Sequence, residues 1–238
     1  MLQHQSIEMT VQTCKRLHLF IQSMDSVFEN LADIDLLNKI TCCDDNSSED
    51  DRRVMRERYP QIDFIYHNEG QEGHQKSLIN LYSRLKSTFV LTWEDDRVLL
   101  LKGNYLTRCM DIINRGEVQA VVLRRCNGDE RKDEYGSYFI KQFDPKVRAE
   151  LVASGNDEYG FDWKAGQPIW PGWSTNSTVQ LVQPLKDLKY PIGGNHEFVF
   201  STAYHEAGYR VAYIDHWAAH HIGVGDEVSA YDLNNTPR

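Results

Sequence analysis

Thr88-Phe89-Val90-Leu91-Thr92-Trp93-Glu94-Asp95-Asp96-Arg97-Val98 is the stretch on which the reading of this chain turns. A β-branched and aromatic run ends in three consecutive carboxylates, and the sequence becomes apolar again at Val98-Leu99-Leu100-Leu101. The run reads as a buried strand. Three adjacent acids cannot lie unpaired in a core, because each buried ionised carboxylate costs several kcal/mol. They belong at the strand's carboxyl end, facing solvent, a cation or a basic partner. Oxygen-only clusters suit hard divalent ions such as magnesium or manganese. A plain acidic turn would carry the same residues, so the weight falls on what surrounds them.

Upstream, the pattern alternates strand and helix. Ile7 to Cys14 reads as a first strand, and Leu17, Phe20, Ile21, Met24, Val27, Phe28 and Leu31 then recur at helical spacing. Lys39 to Cys43 is a second strand, running into Asp44-Asp45-Asn46-Ser47-Ser48, a turn and helix-capping sequence. A charged helix from Glu49 to Arg58 ends at Tyr59-Pro60, and Ile62 to Tyr66 is a third strand. A polar loop from His67 to Gly73 leads to a helix marked by Leu78, Leu81, Tyr82 and Leu85. This β-α-β-α-β-α-β order implies a mainly parallel sheet with right-handed crossovers. Ligands of such sheets bind beyond the carboxyl ends of the strands. The Asp44-Asp45 loop and the Glu94-Asp95-Asp96 loop both fall on that rim.

Downstream, the pattern loosens. Tyr105 to Ile113 predicts a helix and Val118 to Leu123 a strand. Asn127 to Tyr135 is a charged loop or hairpin tip, and Leu151 to Gly172 has no clear period. Gly193-Gly194-Asn195 opens a helix that Gly208 closes. Val211 to Ile214 is a strand, followed by a histidine-bearing segment that includes His220 and His221, and the end of the chain from Asp226 to Arg238 is polar.

The totals bound the answer. With 238 residues, 41% hydrophobic and 26% charged, the chain has ordinary globular composition. A formal net charge of −9 argues against nucleic-acid partners. No apolar run is long enough to span a membrane, and Met1 to Ser6 carries neither a basic nor an apolar leader segment. Five cysteines, an odd number without a CxxC pair, favour reduced thiols and a cytoplasmic setting over a disulfide framework or a zinc site.

The ordered motifs resemble those of nucleotide-sugar-dependent glycosyltransferases of the GT-A fold, nearest to the inverting family 2 group. Thr13-Cys14-Lys15-Arg16 resembles the opening nucleotide-contact strand. Asp44-Asp45-Asn46-Ser47-Ser48 resembles the loop that holds base and ribose, and Glu94-Asp95-Asp96 the Asp-x-Asp metal motif with Glu in first place. His196-Glu197, with Gly208 and a strand after it, resembles the helix that supplies the catalytic base, with Glu for Asp. The resemblance spans residues 7 to about 225. It implies one α/β domain with a nucleotide-sugar half (7–101), an acceptor and catalytic half (102–225) and a polar tail (226–238).

The chemistry assigns roles. A divalent ion, Mn2+ or Mg2+, stabilises a departing diphosphate as a Lewis acid, and a base deprotonates the acceptor hydroxyl. Asp96 is the expected metal ligand, joined by His221 from the resemblance. Glu94 would reach the ribose or a metal-bound water, and Asp95 would be tied to a structural partner such as Arg97. Thr13, Arg16, Asp44 and Asp45 face the nucleotide of a UDP-sugar donor, and Glu197 is the expected base. Trp170, Trp173 and His196 are the expected contacts to a glycan or other hydroxyl acceptor. A sugar nucleotidyltransferase is disfavoured, because Thr10 to Arg16 holds no glycine. A non-catalytic sugar-nucleotide or glycan-binding module remains open.

Overall fold

The computed structural model describes residues 5–68, 73–126, 128–154, 170–190 and 197–223. In chain order the elements are β1 (Ile7–Thr13), α1 (Leu17–Asn30), a 3-10 turn (Ile34–Leu36), β2 (Leu37–Asp45), α2 (Glu49–Arg58), β3 (Asp63–His67), α3 (His74–Tyr82) and β4 (Phe89–Glu94). They continue with β5 (Arg97–Leu99), α4 (Tyr105–Asn114), β6 (Ala120–Val122), β7 (Asp129–Asp133), β8 (Gly136–Ile140) and α5 (Pro145–Ala153). The last are β9 (Thr178–Leu181), α6 (Val182–Asp187), α7 (Glu197–Glu206), β10 (Val211–Ile214) and β11 (Ala219–His221).

Nine strands form one sheet in the order β3-β2-β1-β4-β9-β6-β10-β8-β7, and β5 pairs with β11 in a separate ribbon. The pairings make all of them run one way except β9 and β8, which are reversed. The chain is thus the expected α/β fold, with a mostly parallel central sheet flanked by helices. Side chains alternate across the sheet, as a strand's two-residue period requires. Phe89, Leu91 and Trp93 enter the core shared with Phe20, Met24, Leu106 and Ile112, from α1 and α4. Val90 enters the opposite core with Leu78, Tyr82, Trp173, Phe200 and Tyr204, from α3, α7 and the segment before β9.

Local chemistry explains the element ends. Ser48 caps α2 by accepting the Asp51 N–H at 3.1 Å. Acids fill the first turn and Arg56 and Arg58 the last, which complements the helix dipole. Gly208 follows α7 at φ 87°, a left-handed conformation that costs glycine little. The charged stretch expected as a loop or hairpin tip is a full hairpin, β7–β8, at the sheet's edge. Its edge strand Asp129-Glu130-Arg131-Lys132-Asp133 is built of charges, which discourages pairing with another chain.

The register places the motifs. Thr13 lies beside Asp44, and Gln12 beside Glu94, so three loops leave the same carboxyl edge. β9 runs antiparallel to β4, pairing Thr178 with Thr92. Its preceding residues therefore sit beyond the carboxyl end of β4, next to Glu94. Spacing alone did not reveal β9, nor the short β5, β11, α5 and α6. No disulfide joins the five cysteines. Among the described residues no helix is long and apolar enough to cross a membrane.

Candidate active site

The three acids of the opening stretch take three different environments. Asp95 is 1% exposed. Its carboxylate accepts the Thr13 hydroxyl at 2.9 Å and the Cys14 N–H at 3.2 Å, and pairs with the Arg16 guanidinium. Burial pushes Asp95 up to about 7, against the opposing pull of Arg16. The structural partner of Asp95 is therefore Arg16 rather than Arg97. Lys15, at φ 53°, turns the chain between β1 and Arg16, and its N–H meets Ser47 Oγ at 3.0 Å.

Asp96 lies among two guanidinium groups and an imidazole. Its Oδ2 lies 3.2 Å from Arg16 Nη1 and 3.2 Å from His221 Nε2, and Arg97 Nε stands 3.7 Å from Oδ1. Oδ1 is buried and finds no hydrogen-bond partner among the described residues. Burial works against ionisation here, but the His221 hydrogen bond and the Arg16 charge outweigh it and hold Asp96 below the usual carboxylate range. The β5–β11 ribbon explains His221, because it pairs His221 with Arg97, one residue from Asp96. The Ile222 N–H then bonds the Asp96 carbonyl at 2.8 Å. At Gly223 a Cβ would stand 2.8 Å from Asp96 Cβ and Oδ2, so only glycine lets the chain pass this close.

Glu94 turns toward the other side. Arg97 Nε donates to its Oε2 at 3.3 Å and the Thr175 hydroxyl to its Oε1 at 3.2 Å. Glu197, the first residue of α7, accepts the Thr175 N–H at 2.8 Å. Burial pushes the Glu197 carboxyl up, the nearby Glu94 charge adds to this, and hydrogen bonds from Ser174 and Thr175 pull against it. His196 lies outside the described residues, as do Gly193-Gly194-Asn195 and the segment 226–238.

The acids of the β2 loop are drawn into the fold. Asp44 is fully buried; Arg52 Nε donates to its Oδ2 at 2.7 Å and the Ser47 N–H at 3.3 Å. Its Oδ1 finds no partner among the described residues. Burial raises the Asp44 pKa, with Ser47 and Arg52 opposing. Asp45 accepts the Gly73 N–H at 2.8 Å and lies 3.4 Å from His67 Nδ1, its cross-strand neighbour.

A cavity of about 400 Å³ opens beside these loops, lined by Arg97, Trp170, Asn176, Glu197, Trp217 and His221 among others. Of the expected residues it brings together Glu197, His221 and Trp170. Asp44, Asp45, Thr13 and Arg16 lie along the edge without lining it. Trp173 is fully buried: its indole N–H donates to Gln180 at 2.7 Å, and its ring packs 4.4 Å from Phe200 and 4.9 Å from Tyr190. Sequence reasoning passed over Thr175, Arg124, Trp217 and Gly223. A glycine just after a paired His-His-Ile run was the one readable signal among them.

Among the described residues no three His, Cys, Asp or Glu side chains converge as a metal site. Asp96 and His221 offer two donors, one of them the orphaned Oδ1. The carboxylate oxygen suits manganese or magnesium when phosphate oxygens and waters complete the shell, and the imidazole beside it favours the transition metal, manganese, over magnesium.

Neither a protein-family model nor a curated protein sequence matches this chain. Solved structures do match in fold. The mannosyltransferase PcManGT from Pyrobaculum calidifontis, in complex with GDP-Man and Mn2+, superposes with a TM-score of 0.57 at 14% identity, over 90% of this chain and 58% of that one. TarS 1-349 from S. aureus superposes with a TM-score of 0.54 at 11% identity, over 88% of this chain and 58% of that one. The chain thus spans under two thirds of each of those chains. At these identities the likeness is one of fold: this chain has the GT-A type α/β architecture found in a mannosyltransferase.

Proposed function

We propose that this protein is a metal-dependent glycosyltransferase that moves a sugar from a nucleotide diphosphate sugar, a UDP-sugar, to a hydroxyl acceptor with inversion. The observation that carries this reading is the meeting of His221 and Glu197 on one cavity. His221 is tied to Asp96, and the fold is shared with a protein seen holding GDP-Man and Mn2+.

Asp96 and His221 would hold the metal. When bound, a divalent ion stabilises the charge of the departing diphosphate. The remaining work falls to the chain. Thr13, Asp95 and Arg16 form a buried lock that would hold Asp96 in place, and Arg97 would hold Glu94 at the donor. Asp44 and Asp45 shape the nucleotide end of the edge, where Asp44 Oδ1 would take an N–H of the base. Glu197, raised by burial, is the base that receives the acceptor proton at its carboxylate. Trp170 contributes an acceptor wall, with Trp173 fixing the segment behind it; His196, which precedes the base in sequence, is proposed as a further acceptor contact. That the two halves act as one domain is supported by the single sheet that strands of both build.

The test is nucleoside diphosphate release from a panel of UDP- and GDP-sugars with manganese, with and without simple glycoside acceptors. Release from a UDP-sugar that chelator abolishes supports the reading. No release from any donor, with the protein folded, contradicts it.

A further inference from the structure

We propose that Thr175 is a positioning residue that ties Glu94 to Glu197 and so sets the spacing between the acidic loop and the base; this rests on the glycosyltransferase reading above. Thr175 is 8% exposed and spends two donors on two carboxylates. Its hydroxyl donates to Glu94 Oε1 at 3.2 Å and its N–H to Glu197 Oε1 at 2.8 Å. The two acids come from distant parts of the chain, the end of β4 and the start of α7, and no strand pairing joins those elements.

The residues around Thr175 make the link a strap. The Trp173 N–H donates to Ser201 of α7 at 2.9 Å, and Thr178 closes the turn by donating to the Ser174 carbonyl at 3.1 Å. Asn176 accepts Arg97 Nη2 at 2.6 Å, while Arg97 Nε reaches the second oxygen of Glu94. Both ends of the strap are therefore pinned, one to α7 and one to the β4–β5 turn. Two carboxylates that share a neighbour repel when both are ionised. A residue that gives each a hydrogen bond lets them stand together in a fixed geometry. Valine at this position keeps the shape and the N–H and removes only the bond to Glu94, whereas serine keeps both donors.

The experiment compares wild type, Thr175→Val and Thr175→Ser for kcat and for donor KM on the nucleotide sugar that the wild type accepts. The geometry predicts that the valine variant folds, loses about 10- to 100-fold in kcat, and keeps donor KM within about twofold, the signature of one lost charge-assisted bond that orients rather than binds. Serine should restore most of the rate. Unchanged kcat in the valine variant, or a serine variant as slow as valine, overturns the proposal. If the wild type turns over no nucleotide sugar, it is the glycosyltransferase reading that has failed. The link is then judged on the melting temperatures of Thr175→Val, Glu94→Ala and the double variant. Non-additive shifts uphold it and additive shifts overturn it.

Discussion

Arg16 and His221 approach the same oxygen of Asp96, each at 3.2 Å, while the other oxygen of that carboxylate has no hydrogen-bond partner among the described residues. One guanidinium therefore serves two neighbouring acids, since Arg16 also pairs with the buried Asp95. The arrangement holds Asp96 below the usual carboxylate range and fixed in place, with one oxygen uncommitted among the described residues, which fits the ligand role proposed for it. It also makes Arg16 a hinge between stability and function.

Removing Arg16 should therefore cost more than a surface ion pair. Arg16→Met leaves Asp95 buried without its counter-charge, a loss of about 3–5 kcal/mol for a broken buried pair. Adding Asp95→Asn should recover much of it, because the neutral amide needs no counter-charge. Urea unfolding of the two variants measures both steps. Equal stability of the single and double variants would show that the pair is not the source of the loss.

Glu197→Gln should act on rate and stability in opposite directions. As the base, its loss should lower turnover by roughly 10²–10⁴-fold with donor affinity nearly unchanged. The stability effect follows from the raised pKa. A folded carboxyl above its ordinary value of 4.5 binds its proton more tightly than the unfolded chain does, so its contribution is full below about 4.5 and lost as pH rises through the folded value. Glutamine never ionises and still accepts the Thr175 N–H. The variant should therefore gain in melting temperature over wild type as pH rises toward 8, and the gap should close in acid. The acid limb of wild-type kcat should fall above the ordinary carboxylate range. A gap independent of pH would show that Glu197 is not held above its ordinary value.

Trp173 separates core from surface. Its ring is enclosed by Phe200, Tyr190 and Tyr204. Trp173→Ala should cost about 3–5 kcal/mol, as large-to-small core changes do. Trp217, 53% exposed at the cavity, should tolerate alanine with under about 0.5 kcal/mol of stability change, as surface positions do. Thermal melts of the two variants make the comparison, and similar losses would contradict the placement of Trp173.

The first half of the chain was legible because its signals are local. Apolar runs of strand length, helical periods and a Ser48 cap each announce themselves within a few residues, and the parallel order follows from their alternation. The second half was less so. β9 is four residues long, and Thr178-Val179-Gln180-Leu181 carries a buried glutamine whose partner, the Trp173 indole, lies outside the strand. The site shows the same division. Acids at strand ends were readable as a rim. Which of them are consumed by the fold depends on Arg16 and Arg52, whose reach to Asp95 and Asp44 no spacing rule reveals. Trp170 and Trp173 look alike in sequence, three residues apart, and only packing tells a cavity wall from a core ring.

A cation joining protein to diphosphate is the centre of the proposed function. Calorimetric titration of UDP into wild type and Asp96→Asn, each with manganese and with chelator, measures that link. Manganese should tighten UDP binding about tenfold or more in wild type, equivalent to about 1.4 kcal/mol, and little or not at all in the variant. Equal UDP affinity with and without manganese in wild type would contradict it.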